Sequence, residues 1–278
     1  MTKIITDSIY LPAQKPHKAC QDYSICSENG DNNPFLVICD GCGSSKNTDI
    51  GARLLAHGAK SFFNKVIKNK NKISCKDFGL ASIVNASVAS KVLEVEEQCL
   101  DSTLIFSFVE DDSYLRALMF GDGFLFSTGK DGNLNFYKRI SYKGNAPHYL
   151  SYNLNQERYS RYQNLSGDDS VKIEDYYCDN NNPQCFESFS NLSKQIDFGK
   201  YFLTLESFVI SSDGIESFID ISTGEKIPYQ EVIKEIISFK NKRGEFIKRR
   251  IRRMMEDYAK KGIYNYDDIS IAAFMITE

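Results

Sequence analysis

The chain has little that would tie it to a membrane, a polyanion or an oxidising compartment. No apolar run approaches the roughly 20 residues needed to cross a bilayer as a helix, and "MTKIITDSIYLPAQ" lacks a long apolar core and a small-residue cleavage site. Those absences predict a soluble, cytoplasmic protein with no membrane partner. Charge of one sign is missing too: 34 Lys and Arg stand against 37 Asp and Glu, a net of −3, so no nucleic acid partner is implied. Histidine is scarce, at three residues, and neither His nor Cys pairs at a spacing that suits zinc. The eight cysteines are scattered rather than spaced as a disulfide framework, and most read as reduced core thiols. With 278 residues the chain can bury a core without covalent staples, and we expect one monomeric domain, 1–278.

Turn formers in "NGDNNP" separate "DYSICSE" from "FLVIC", so residues 22–39 are predicted to form a hairpin. Asp22 opens its first strand and Asp40 follows its second, which puts both carboxylates at one end of a sheet. Helical spacing covers 48–69, with Thr48 as N-cap and Ile50, Leu54, Leu55, Ala59, Phe62, Phe63 and Ile67 on the apolar face. A second helix, 76–98, is expected to bury Leu80, Ile83, Val84, Val88, Val92 and Val95. "STLIFSFVE", "SYLRALMF", "FLFSTGK" and "LNFYKRI" read as an antiparallel meander. Periodicity fades over 143–200, which is expected to be an irregular, flap-like region. A strand in "YFLTLESFVISSDG", helices near 228–242 and 244–261, and the closing strand "ISIAAFMI" complete the chain. This order implies an α+β layered domain in which helices cover antiparallel sheets.

Carboxylates recur where apolar strands end. Asp22 and Asp40 are joined by Asp122 in "ALMFGDGFLF", Asp213 in "FVISSDG", and Asp267 with Asp268 ahead of "ISIAAF". Any one alone reads as a turn, as Asp131-Gly132 in "KDGN" does. Together they pose a charge problem, because an ionised carboxylate near a core costs several kcal/mol unless compensated. Few lysines or arginines flank them, so a divalent cation is the natural compensator, and oxygen-only donors favour Mg²⁺ or Mn²⁺ over zinc. Two ions about 4 Å apart, sharing a carboxylate, would activate a water and clamp a phosphoryl group.

In order, "QDY", "VICDGCGSS", "DSTLIF", "FGDGFLF", "SSDGIESF" and "DDISIAAF" resemble the motifs of the metal-dependent type 2C Ser/Thr protein phosphatases over nearly the whole chain. The similarity is closest to a bacterial branch with Cys-Gln-Asp and Asp-Gly-x-Gly-Ser motifs, here Cys20-Gln21-Asp22 and Asp40-Gly41-Cys42-Gly43-Ser44, and "NAPHYLSY" also looks like that branch. The resemblance implies a four-layer α-β-β-α sandwich, with two central antiparallel sheets and a metal cluster at one end. It implies a phosphoprotein substrate, hydrolysed at phosphoserine or phosphothreonine by a hydroxide bridging two Mn²⁺ or Mg²⁺ ions. By motif match Asp40 bridges the metals; the Gly41 carbonyl, Asp22, Asp213 and Asp267 complete their shells; Asp122 matches a third, weaker site.

Three departures stand out. The arginine expected five residues before the first aspartate is His17, beside Lys18, and these become the candidate phosphate-binding residues without an arginine's bidentate fork. Cys42 stands where many eukaryotic members have histidine, and Asp268 replaces the usual asparagine. The alternatives are a non-catalytic relative serving as a binding or regulatory module, and a phosphatase acting on a small phosphometabolite. Cys39-x-x-Cys42 spans a strand end rather than a helix start, which argues against redox chemistry. The basic helix in "EFIKRRIRRMMEDY" reads as a solvated face rather than a docking surface, and His57 reads as a structural histidine facing the sheet.

Overall fold

The computed structural model describes residues 3–15, 19–68, 72–111, 114–166, 171–179, 182–190, 195–201 and 204–277. Seven antiparallel strands make the larger sheet, in the order β1 (Lys3–Leu11), β15 (Ile269–Thr277), β11 (Leu205–Ser211), β6 (Gly123–Gly129), β7 (Leu134–Tyr142), β8 (Val171–Asp179) and β9 (Asn182–Ser190). The second sheet runs β10 (Ile196–Tyr201), β5 (Tyr114–Phe120), β4 (Leu104–Asp111), β3 (Phe35–Cys39) and β2 (Tyr23–Cys26). A small third sheet joins β13 (Glu225–Lys226), β12 (Phe218–Asp220) and β14 (Ile263–Asn265).

Alternation along the strands sends side chains to three cores. One lies between the sheets, where Leu36, Ile38 and Ile105 meet Leu125, Phe208, Ala272 and Phe274. A second fills the space between the smaller sheet and the helices α1 (Thr48–Lys68) and α2 (Cys75–Val92), around stacked Phe35 and Phe106. The third lies under α4 (Tyr229–Ile237) and α5 (Phe246–Lys260), whose Val232, Ile236, Ile247, Ile251 and Met254 cover the outer face of the larger sheet. The layers are therefore α-β-β-α, with two main antiparallel sheets and flanking helices. Among the described residues no helix is long and apolar enough to cross a membrane, and all eight cysteines are free.

Four expectations need correction. The supposed meander is divided: β4 and β5 belong to one sheet, β6 and β7 to the other. The chain changes sheets at Gly121-Asp122-Gly123, where both glycines take positive φ, 99° and 130°, a region L side chains rarely enter. A Cβ at Gly123 would lie 2.7 Å from the Ser211 carbonyl oxygen, so the crossing also needs the missing side chain. Residues 143–200 are mostly regular. They hold a helix, α3 (Gln156–Ser166), the β8–β9 ribbon that extends the larger sheet, and β10 at the edge of the smaller one. The described side chains of β9 are all exposed, which erases the alternation of a half-buried strand, while β8 and β10 carry polar or aromatic residues at half-buried positions.

Helix α2 turns a different side inward. Leu80, Val84, Val88 and Val92 are 44–78 % exposed, while Phe78, Gly79, Ser82, Ile83, Ala86, Ser87 and Ser90 are buried. Small residues win this face because α1 approaches closely: a Cβ on Gly58 would come within 2.7 Å of the Ser82 carbonyl, and Asn85 Nδ2 donates to the Gly58 carbonyl at 3.2 Å. Bulk, not polarity, decides the packing. Val88→Lys should therefore change stability by less than about 0.5 kcal/mol, whereas Ile83→Ala should cost about 2–5 kcal/mol, as read by urea unfolding. His57 is likewise exposed, with its ring against Tyr23, rather than turned to the sheet.

Candidate functional site

The strand ends bring the aspartates to one rim of the sandwich. Tyr23 pairs with Cys39, so Asp22, one residue earlier, and Asp40, one residue later, stand at the same end of the hairpin. Asp213 starts a 3-10 turn directly after β11, Asp267 lies just before β15, and Asp122 occupies the crossing between sheets. The Asp40 loop is held from below. Thr103 N donates to the Asp40 carbonyl at 2.9 Å, Thr103 Oγ1 accepts from Asp40 N at 3.1 Å, and Gly41 bridges to Ser102. His17 and Lys18 lie outside the described residues.

The electrostatics show that these groups feel one another. Asp22 is 1 % exposed; Ser212 Oγ donates to its Oδ2 at 2.8 Å, while its Oδ1 has no hydrogen-bond partner among the described residues. Burial pushes its pKa up to about 7, against the pull of its hydroxyl partners, and the charge of Asp268 adds to the rise. Asp40 is held well above the ordinary carboxylate range, first by burial and then by the charges of Asp22 and Asp213, with Asp122 contributing. Asp122 is raised by burial and then by Asp213, Glu216 and Asp267. All five predicted acidic residues thus act on a common space, and Gly41 is buried beneath it.

Among the described residues, no three histidine, cysteine or carboxylate side chains draw close enough to make a ready-formed metal cage, as expected for like charges facing one another in a poorly solvated space. The donor set nevertheless fits a hard divalent cation. It offers oxygens alone, one of them the buried and unsatisfied Asp22 Oδ1, and it raises the proton affinity of its own members in a way a cation would relieve.

Comparison with known proteins gives the family and the fold. The family model described as protein phosphatase 2C matches residues 14–256. The chain belongs to that family. Solved structures of similar fold include the serine/threonine phosphatase Stp1 from Staphylococcus aureus, at 12 % identity and TM-score 0.56, covering 99 % of this chain and 96 % of that one. PppA from Pseudomonas aeruginosa is 14 % identical with TM-score 0.52, each chain covered in full. The phosphatase domain of SpoIIE from Bacillus subtilis is 13 % identical with TM-score 0.50, over 100 % of this chain and 93 % of that one. A search of curated protein sequences finds no match.

Within this phosphatase 2C chain, several residues have contacts that the sequence reading does not anticipate. Asp268 is one: its Oδ1 accepts from Ala13 N at 2.7 Å and its Oδ2 from Gln21 N at 2.5 Å. Each oxygen clasps one end of the 13–21 segment, while Asp267 is exposed and accepts from Asp268 N at 2.9 Å. Asn at 268 offers a single acceptor for two backbone donors. Asp268→Asn should accordingly cost about 1–3 kcal/mol, the penalty of one unsatisfied buried donor, measured by chemical denaturation.

Asp101 is another. Its carboxylate accepts from Ser45 Oγ at 2.9 Å, from Ser151 Oγ at 2.6 Å, and from Arg158 Nη2 at 2.7 and 2.8 Å, while its carbonyl accepts from Cys42 N at 2.8 Å. One side chain thus fastens α3 and the 150–154 turn to the loop that follows Asp40. Nothing local in "DSTLIF" signals this, because the partners come from three separate segments. Arg139 is a third, pairing with Glu216 at 2.6 and 2.9 Å and also with Glu174, so a guanidinium already neutralises one acid beside Asp213. Tyr149, in the "NAPHYLSY" segment, contacts Cys42: burial raises that thiol, but hydrogen bonds from Ser44, Tyr149 and Ser45 more than offset it and leave its pKa lowered.

Proposed function

We propose that the protein is a metal-dependent phosphatase acting on phosphoserine or phosphothreonine in proteins, with the whole chain working as one unit. The observation that carries this reading is one rim at which burial raises Asp22, Asp40 and Asp122, the charge of Asp213 acts on both Asp40 and Asp122, and that of Asp267 acts on Asp122. Asp22, Asp40, Asp122 and Asp213 form no lysine or arginine ion pair among the described residues, and carboxylates gathered in this way have one straightforward use, which is to hold cations. Asp40 and Asp22, with the Gly41 carbonyl, Asp213 and Asp267, are the proposed ligands of two Mn²⁺ or Mg²⁺ ions, and Asp122 of a weaker third. Bound there, such ions neutralise phosphoryl oxygens and acidify a coordinated water.

The chain's own contribution is position and proton inventory. Ser212 fixes the Asp22 carboxylate by donating to Oδ2, and its own Oγ accepts from Ser270 N at 3.0 Å, so the orientation of Asp22 is tied to β15. The Thr103 and Ser102 contacts to Asp40 hold that carboxylate at the mouth of the rim. Protons held on Asp22 and Asp40 must leave before a cation enters, which makes cation affinity rise with pH through neutrality. Cys42 provides no imidazole for the leaving group; its hydroxyl neighbours Ser44 and Tyr149 are the protic groups closest to that position.

Turnover of a phosphoserine peptide, a small phosphorylated metabolite and an aryl phosphate, each with added Mn²⁺ and with EDTA, tests the reading. Hydrolysis of the peptide and aryl ester that needs Mn²⁺ is the expected result. Metabolite turnover well above peptide turnover would transfer the assignment to small substrates, and no turnover of any of the three would leave a non-catalytic module.

A further inference from the structure

A cavity of about 400 Å³, lined by none of the rim aspartates, lies where the segment leaving α4 passes the amino-terminal half of α5. Its walls carry Lys240, Arg249, Arg252 and Arg253, with Phe239 and Phe246 at its base and Glu256 the one acidic residue in the lining. Eight of the fourteen residues 240–253 are Lys or Arg and one is acidic, within a chain of net charge −3. The amphipathic pattern of "EFIKRRIRRMMEDY" suggests only a wet helix face; the structure makes that face the wall of a depression.

The neighbouring acids make their close ion pairs elsewhere, although Glu245 also feels Arg249 and Arg252, and Asp257 feels Arg253. Glu235 pairs with Arg250, Glu245 with Lys248 and Asp257 with Lys260. Arg252 and Arg253 form no ion pair among the described residues, and they neighbour Arg249 at i,i+3 and i,i+4 on the helix surface, where like charges repel. An anion between them would turn that repulsion into charge-assisted, bidentate hydrogen bonds. The aromatic base offers no platform for a nucleobase: Phe246 is 1 % exposed, and its ring is closed edge-on by Phe239 at 5.4 Å and 77°.

We propose that this cavity is a docking site for an acidic segment of a protein partner, whose carboxylate or phosphoryl groups bind Arg249, Arg252 and Arg253. That the partner is the phosphoprotein substrate rests on the phosphatase reading; the site itself does not.

The test uses the full chain carrying Asp40→Asn, in EDTA, so that the rim takes no part. A fluorescein-labelled oligoglutamate peptide is titrated and its anisotropy followed. Binding should weaken by about tenfold or more in Arg252→Glu/Arg253→Glu, weaken less in Arg252→Ala/Arg253→Ala, fall with added salt, and persist in Lys65→Glu/Lys68→Glu on α1, which carries the same charge change. With Asp40 restored, Arg252→Glu/Arg253→Glu should hydrolyse an aryl phosphate at the unaltered rate. Peptide binding that is absent, or indifferent to the arginine changes, overturns the proposal. So does a single-stranded RNA or an anionic phosphatidylserine vesicle that binds more tightly with the same arginine dependence. Loss of all hydrolysis with peptide binding intact would instead sink the phosphatase reading and leave the docking site standing.

Discussion

Asp40→Asn should lower Mn²⁺-stimulated phosphoester hydrolysis on the order of 10³-fold, the scale of losing one preorganised charge partner of a transition state. The same substitution should make the cation-free protein more stable. Asn is neutral, and the Asp40 carboxyl is raised by burial and by the charges of Asp22, Asp213 and Asp122, so its removal relieves a cost the folded chain bears. In wild type Mn²⁺ should raise Tm, because a ligand bound only by the folded state stabilises it; in Asp40→Asn that gain should shrink or vanish. The paired outcome matters. A merely structural Asp40 would lose stability and activity together, whereas a ligand position gains stability in EDTA and loses both hydrolysis and the response to Mn²⁺. A variant that hydrolyses as wild type, or is stabilised by Mn²⁺ as wild type is, would remove Asp40 from the site.

The second large effect is a fall in the stability of the cation-free protein as pH rises. Asp22 titrates near 7 in the folded chain against an ordinary value of 3.8. Between those values the folded chain keeps a proton that the unfolded chain has lost, so the stabilisation is complete below the lower value and is lost as pH climbs through the upper one. A shift of about three units corresponds to roughly 4 kcal/mol, or a Tm lower by about 10 °C for a chain of this size. Asp40, Asp122 and Asp7 are raised and act in the same direction, while His57, lowered by burial and Lys60, opposes them weakly because it is exposed. Carboxylates held low, such as Glu174 beside Tyr229 and Arg139, matter only below about pH 5. Calorimetry in EDTA at pH 5 and pH 8 isolates the window. Stability that is flat or increasing across it would contradict the charge assignment, and Mn²⁺ should recover more at pH 8 than at pH 5.

The sequence was informative where its signals are local. The hairpin could be read because "NGDNNP" sits between two strand-like runs, and the Tyr23–Cys39 pairing follows from it. Asp213 and Asp267 were placed correctly at strand ends by the apolar runs beside them. Pairing between distant strands leaves no such trace: β5 and β6 look alike in composition, and nothing in "ALMFGDGFLF" says that its halves lie in different sheets. The α2 face differs from its apolar stripe because close approach to α1 favours Ser82 and Ala86, and the packing of Phe120 and Leu150 favours Gly79. Asp268 and Asp101 were illegible for a related reason. Their partners are backbone amides and side chains up to 255 residues away, and a carboxylate that serves as a clasp is indistinguishable in sequence from one that binds an ion.

The Asp101 junction constrains how this chain can vary. Because Ser45, Ser151 and Arg158 all converge on one carboxylate, the stretch around α3 cannot drift independently of the loop that follows Asp40. The described side chains of β9, residues 184–188, carry no such junction: Cys185 reaches Tyr137 and Glu187 reaches Lys172 on the adjoining strand, so this edge can change its side chains with less effect on the rim.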